Sequence, residues 1–315
     1  TQAQTDLDDA QNLANADLAA DQAAAQKAVD DQIAQITDDI AAITHDVATL
    51  QEIATNNPDD TEIADKLADA QAQQQAAETA LTEAQNQKTA IDNATTPAEV
   101  TAAQTTAETA GQTASDAKDA ADQDVTDAQA KSDANLAAAK TAADTALDQN
   151  IANITDDVSA IQDIVDELQT LADNNPGDTD IADTLADAQA QLTTANDALT
   201  DAQNQKTAVA DAKTLADVQT AVDAGQADED VAQTALENAQ ADQTAAQAKS
   251  DSNLDDAQQA AKDAITQDLA TITDNVAAIQ ADVVALEQIA TDNPTNQLIQ
   301  DKLADAQQQL TAAQP

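Results

Sequence analysis

The chain repeats itself every 118 residues, and that period restricts its fold more than any other feature. The run Ile33-Ala34-Gln35-Ile36-Thr37-Asp38-Asp39-Ile40 returns as Ile151-Ala152-Asn153-Ile154-Thr155-Asp156-Asp157-Val158, then as Leu269-Ala270-Thr271-Ile272-Thr273-Asp274-Asn275-Val276; the offsets are 151 − 33 and 269 − 151. The same step joins Asn56-Asn57-Pro58 to Asn174-Asn175-Pro176 and Asp292-Asn293-Pro294, and Asn86-Gln87-Lys88 to Asn204-Gln205-Lys206. Leu7 falls in register with Val125, and Leu18 with Leu136 and Leu254.

Inside each period the pattern is helical. Ile33, Ile36, Ile40, Ile43, Val47 and Leu50 step by three and four residues, a heptad seam. A second seam follows Pro58 through Ile63, Leu67, Ala70, Gln74, Ala77, Leu81, Ala84, Lys88 and Ile91, and its copy replaces Gln74 with Leu192. A third, Ala-rich seam follows Pro97 through Val100, Ala103, Ala107, Ala114, Ala121 and Val125. Asn-Asn-Pro ends the first helix, because proline removes a donor and disfavours the α conformation in the residue before it. Thr96-Pro97-Ala98-Glu99 is a capping box with proline at the first helical position, copied as Thr214-Leu215-Ala216-Asp217. No stop of that kind lies between Pro97 and Asn174. Gly111 and Gly225 each cost a helix only about 1 kcal/mol relative to Ala, too little to end it.

The expectation is an all-α chain of three helices per period, with helix A over 19–56, B over 59–92, C over 97–134 and the next A over 137–174. Short breaks make A–B and B–C antiparallel neighbours, while C runs straight into the following A. The segments are then 1–18, the tail of a preceding helix C; repeat 1 over 19–136; repeat 2 over 137–254; and a partial repeat 3 over 255–315, with helices A and B alone. Stacked end to end, such units form an extended rod.

This layout resembles spectrin-type repeats. It resembles more closely the tandem three-helix repeats of giant cell-wall-anchored surface proteins of Gram-positive bacteria, on the long period, the C-into-A helix and the Ala/Asp/Thr/Gln-rich sequence. The resemblance implies an extracellular, cell-surface location and a stalk role, with host extracellular matrix as a partner in some such proteins.

Composition narrows the function classes. Sixty Asp and Glu against 11 Lys give a formal charge of −49, which repels nucleic acid and anionic membranes. The chain has no Cys and no aromatic residue, hence no thiol nucleophile, no thiolate metal site and no stacking platform. No segment approaches the length of apolar sequence needed to span a membrane.

Individual candidates read as structural. His45, the single histidine, falls between seam positions, and its copies are Asp163 and Ala281. The loop Asn56-Asn57-Pro58-Asp59-Asp60-Thr61-Glu62 carries the acids a Ca²⁺ site needs, but its copies, residues 174–180 and 292–298, progressively lose them. Helix capping accounts for all three copies, with Asp59, Gly177 and Thr295 as the N-caps. Lys88 and Lys206 sit near the end of helix B, where a cation suits the helix dipole and its stem covers apolar surface. The sequons at Asn93 and Asn153 match what chance gives in an Asn/Thr-rich chain. No residue is assigned a catalytic, cofactor-binding or metal-ligating role, and no small-molecule substrate is expected. The expected function is a monomeric spacer whose partners are its own flanking repeats. The alternative is a module whose helix faces bind a host matrix or mucosal ligand. Crowded carboxylates are expected to have raised pKa values, so that salt and mild acid stabilise the fold.

Overall fold

The structure is a computed structural model that describes residues 1–314; of the segment expected over 255–315, Pro315 lies outside the described residues. The protein is all-α and 94% helical, with contacts that build tandem three-helix bundles sharing continuous helices. The helices are α1 (Gln2–Asn56), α2 (Thr61–Asn93), α3 (Pro97–Asn174), α4 (Thr179–Asp211), α5 (Leu215–Asp292) and α6 (Gln297–Ala313). The breaks stand where proline and the caps put them, and α3 and α5 each continue unbroken for 78 residues.

The caps explain the starts. At α3, the Thr96 hydroxyl accepts from the Glu99 amide at 3.3 Å, and the Glu99 carboxylate accepts from the Thr96 and Thr95 amides at 3.1 and 2.7 Å. Thr214 and Asp217 repeat the box at α5, at 3.1 and 2.9 Å. The Asn-Asn-Pro loops differ from expectation by one residue. Asp60, Asp178 and Asn296 cap α2, α4 and α6: each aspartate takes two amides of the first turn on one oxygen, and Asn296 takes the Ile299 amide. Asp59, Gly177 and Thr295 are spacers, and Gly177 takes φ of +92°, a conformation that favours glycine.

Two compact units result, and each stands by itself. The first comprises Thr1–Ile154 with Ala198–Asp230. Its main core packs Ile36, Ile43 and Leu50 of α1 against Ile63, Ala70 and Ala77 of α2 and Ala114, Ala121 and Ala128 of α3. Fully burying each Ile or Leu contributes about 1.5–3 kcal/mol, whereas the Ala positions contribute mainly close approach. A smaller cluster joins Ala25 and Val29 to Ile91, Val100 and Ala107. Another joins Ala143 and Leu147 to Val209, Val218 and Ala221. The second unit comprises Thr155–Asp197 with the residues from Val231 onward. There Ile161, Leu168, Ile181, Ala188, Ala232, Ala239 and Ala246 are buried.

The two helical glycines are more than tolerated. A Cβ on Gly225 would stand 2.2 Å from Cδ2 of buried Leu147, and one on Gly111 would stand 1.9 Å from the Gln32 side-chain oxygen. Both mark close approaches between helices, which propensity alone did not indicate.

One expectation about hydropathy is corrected. Helix α5 contains a stretch long and apolar enough to cross a membrane by length and composition, with a mean hydropathy of 1.3. The apolar residues Leu269 and Ile272 in α5 are copies of Ile33 and Ile36 in α1. Asp274 and Asp282 interrupt the same helix, and an Asp at the centre of a membrane span costs about 2.5–3.5 kcal/mol.

Candidate functional site: a repeated polar clamp

A buried asparagine anchors a hydrogen-bond network where the α1–α2 loop meets the middle of α3. Asn57 is buried because proline after it turns the chain inward, and its carboxamide replaces the bonds the broken helix forgoes. Its Nδ2 donates to the Ile53 carbonyl and to the Ser132 hydroxyl, both at 2.9 Å. Asn135, one turn along α3, donates to Asn57 Oδ1 at 3.3 Å and to Asp60 Oδ2 at 2.7 Å. Lys131 pairs with Glu62 at 2.6 Å. The Asn135 bond, with the amides of Ile63 and Glu62, holds the Asp60 carboxyl below the usual carboxylate range.

The second unit builds the clamp again from residues 118 positions on. Asn175 donates to the Leu171 carbonyl at 2.9 Å and to Ser250 at 3.1 Å. Asn253 donates to Asn175 at 3.1 Å and to Asp178 at 2.8 Å, and Lys249 pairs with Asp180 at 2.8 Å. Lys131-Ser132-Asp133-Ala134-Asn135 and Lys249-Ser250-Asp251-Ser252-Asn253 are the sequence signal for it. The sequence reading passed over that run because it breaks no helix and adds nothing to a seam.

The clamp is closed chemically. One oxygen of Asp60 caps α2 and the other takes Asn135, so the loop acids do not converge on a common point. Among the described residues no group of three or more His, Asp or Glu is placed to hold a metal ion. His45 is exposed. Lys88 and Lys206 serve differently from expectation. They pair across the bundle, Lys88 with Asp30 of α1 and Lys206 with Asp148 of α3, the latter at 2.6 Å. A cross-helix pair of this kind sets register, which a dipole contact in the last turn would not.

A second polar group lies halfway along the first bundle. Asp39 and Asp46 are 3% and 8% exposed, and each keeps one buried oxygen without a hydrogen-bond partner. They were missed because the three-and-four seam traces one flank of α1. A helix packed against two neighbours buries a wider face, here including positions 39, 46 and 53. Burial first, then Asp122 of α3, pushes the Asp46 carboxyl up. Nearby, Lys66 bonds Asp124 and Asp127 at 3.0 and 2.9 Å.

Carboxylates therefore divide, rather than all moving up with the net charge. Burial raises Asp46, Asp228 and Asp242, with Asp122, Asp201 and Asp187 adding to it. Hydrogen bonds lower Asp60, Glu99, Asp127, Asp178 and Asp217.

The concave surface is shallow and carries acids without a base. A groove of about 710 Å³ in the second unit is lined by Glu167, Leu171, Gln243, Gln247 and Asp251 among others, and Gln243 donates to Glu167 across it. No family model, no curated protein and no solved structure matches this chain.

Proposed function

We propose that this chain is a non-catalytic spacer: tandem bundles forming an extended stalk that holds a distal binding domain away from a bacterial cell surface. The observation that carries the reading is the clamp. The same Asn, Ser, Lys and Asp contacts recur 118 residues apart, while the polar groups between them change. What is kept between copies is what fixes bundle ends and lets one helix continue into the next repeat. A ligand site would instead keep exposed or cleft-lining groups. Surplus acid on the outward faces opposes non-specific sticking, as suits an extracellular location. The partners on this reading are the neighbouring repeats, and the resemblance to Gram-positive surface-protein repeats supports it in style and period.

Small-angle X-ray scattering tests the proposal. A stalk has a maximum dimension above about 115 Å, the length of one 78-residue helix. Its radius of gyration lies far above the ~20 Å of a compact globule of 315 residues. A compact particle would remove the spacer reading. Saturable capture of the chain by a purified matrix protein would replace it with the binding-module reading.

A further inference from the structure

Helices α3 and α5 meet at two places through side chains 76 residues apart, and at each a donor faces an acceptor. Asn153 of α3 donates to Glu229 of α5 at 2.6 Å, and Gln243 of α5 donates to Glu167 of α3. Asp46 of α1 stands in the same relation to Asp122 of α3, since 122 − 46 is also 76. There two carboxylates meet, and an ionised carboxylate only accepts. Asp122 lies within hydrogen-bond reach of Asp46. Asp46 is 8% exposed, and one of its oxygens is buried with no donor. Two negative charges in contact, one of them out of water, are relieved by a single proton.

The charges around Asp46 come from two helices. His45 is its neighbour on α1, and Lys118 and Asp122 lie on α3. Asp39, two turns earlier on α1, acts on Lys118 and not on Asp46. Helix α2 lines the same core with Ala70 and Ala77, and its Lys66 is held by Asp124 and Asp127. Burial and Asp122 push the Asp46 carboxyl up, while His45 and Lys118 oppose them. Lys118 bonds Asp122 at 2.6 Å and stands 3.8 Å from Asp119. That cation keeps the half-exposed Asp122 ionised, so Asp122 is the acceptor. The proton belongs on Asp46, the more buried of the two.

We propose that Asp46 and Asp122 form a proton-binding site, Asp46 donating the one proton they hold to Asp122, and that this bond ties α1 to α3 in acid and is lost as pH rises. The proton is taken from solvent and returned to it. The second bundle lacks the site, because its copies of the two acids are Ile164 and Gln240. Acid therefore tightens this contact in one repeat and leaves its counterpart in the next unchanged. The inference goes beyond the spacer reading and does not depend on it.

The test follows the aspartate carboxyl carbons of the 315-residue chain by nuclear magnetic resonance as pH is lowered, the two signals being identified from Asp46→Asn and Asp122→Asn. The Asp46 signal should move above the ordinary carboxylate value of 3.8, and the Asp122 signal should move with it. Asp122→Asn sets an amide donor against Asp46, as Asn153 faces Glu229, and should carry the Asp46 transition to lower pH. Asp46→Asn supplies the donor at every pH. Its unfolding constant in urea should lie about tenfold below the parent's at pH 7 and converge with it at about pH 4. The proposal is overturned by an Asp46 signal that stays ionised down to 3.8, by a transition that Asp122→Asn leaves in place, or by an Asp46→Asn variant less stable than the parent at pH 7. It is overturned equally if the transition shifts when sodium chloride is replaced by tetramethylammonium chloride at the same concentration, for a metal ion and not a proton would then bridge the pair.

Discussion

Six residues into α2 of the first bundle an ammonium reaches into a pair of carboxylates; at the same place in the second bundle there is a hydroxyl. Lys66 bonds Asp124 and Asp127, and 118 residues on stand Thr184, Asp242 and Ala245. Asp242 keeps its half-buried place without the lysine, and burial together with Asp187 pushes its carboxyl up. The same helical frame thus accepts a paired and an unpaired acid at one position. The loop clamp, by contrast, is kept group for group. The clamp contacts specify how the helices are placed, and the electrostatics beside them can drift around that placement.

If so, the clamp should be costly to remove in both bundles and to a similar degree. Asn57→Ala deletes two donated bonds and one accepted bond, leaving Ser132 and Asn135 short of partners. A loss of about 2 kcal/mol is expected for it, and about the same for Asn175→Ala, measured by urea unfolding. A large loss in one copy and none in the other would break the comparison.

Exchanging Lys66 and Thr184 is the next largest effect. Lys66→Thr copies the second bundle into the first and leaves Asp124, 8% exposed, without its cation; a loss of about 1–2 kcal/mol is expected. Thr184→Lys makes the reverse exchange and should gain about 0.5–1 kcal/mol by placing a cation near Asp242 and Asp187. Opposite signs in the two melts support the comparison; equal signs contradict it.

These two sets of residues also show what the sequence made legible. Pro58, Pro97, Asn174 and the Thr96 box give the helix ends directly, because chain breaks and caps are local. The long α3 and α5 helices were readable from the absence of any such signal. The clamp was not, since Asn57 and Asn135 lie 78 residues apart and only folding brings them together. Nor was the burial of Asp46, because its flank of α1 is defined by a neighbouring helix and not by α1's own period. Lys66 looked like any exposed lysine for the same reason.

The smallest effect sharpens the electrostatic half of the comparison. Asp46, Asp228 and Asp242 are raised above the carboxylate value of 3.8, so the folded chain binds more protons than the unfolded one as pH falls from neutral. Stability should rise over that interval. Asp60, Asp127, Asp178 and Asp217 are lowered from 3.8, and their contribution is present above that value and lost as pH falls through their folded values. The melting temperature should therefore pass through a maximum between neutral pH and about 4. Asp46→Ile, which copies Ile164 of the second bundle, should raise stability by about 1 kcal/mol at pH 7 and reduce the acid gain. A melting temperature that falls steadily from pH 7 would show that the lowered groups outweigh the raised ones throughout.

The central claim is that one helix serves two successive bundles without a break, and it can be measured directly. The chain has no cysteine, so labels placed by Gln123→Cys and Gln149→Cys report a single distance across the middle of α3. Both glutamines are exposed. A continuous helix separates their Cα atoms by about 39 Å at 1.5 Å per residue, and pulsed electron–electron resonance should return a narrow distribution near that value. A broad distribution centred well below it would mean that the helix breaks between the bundles, and the tandem account would fail.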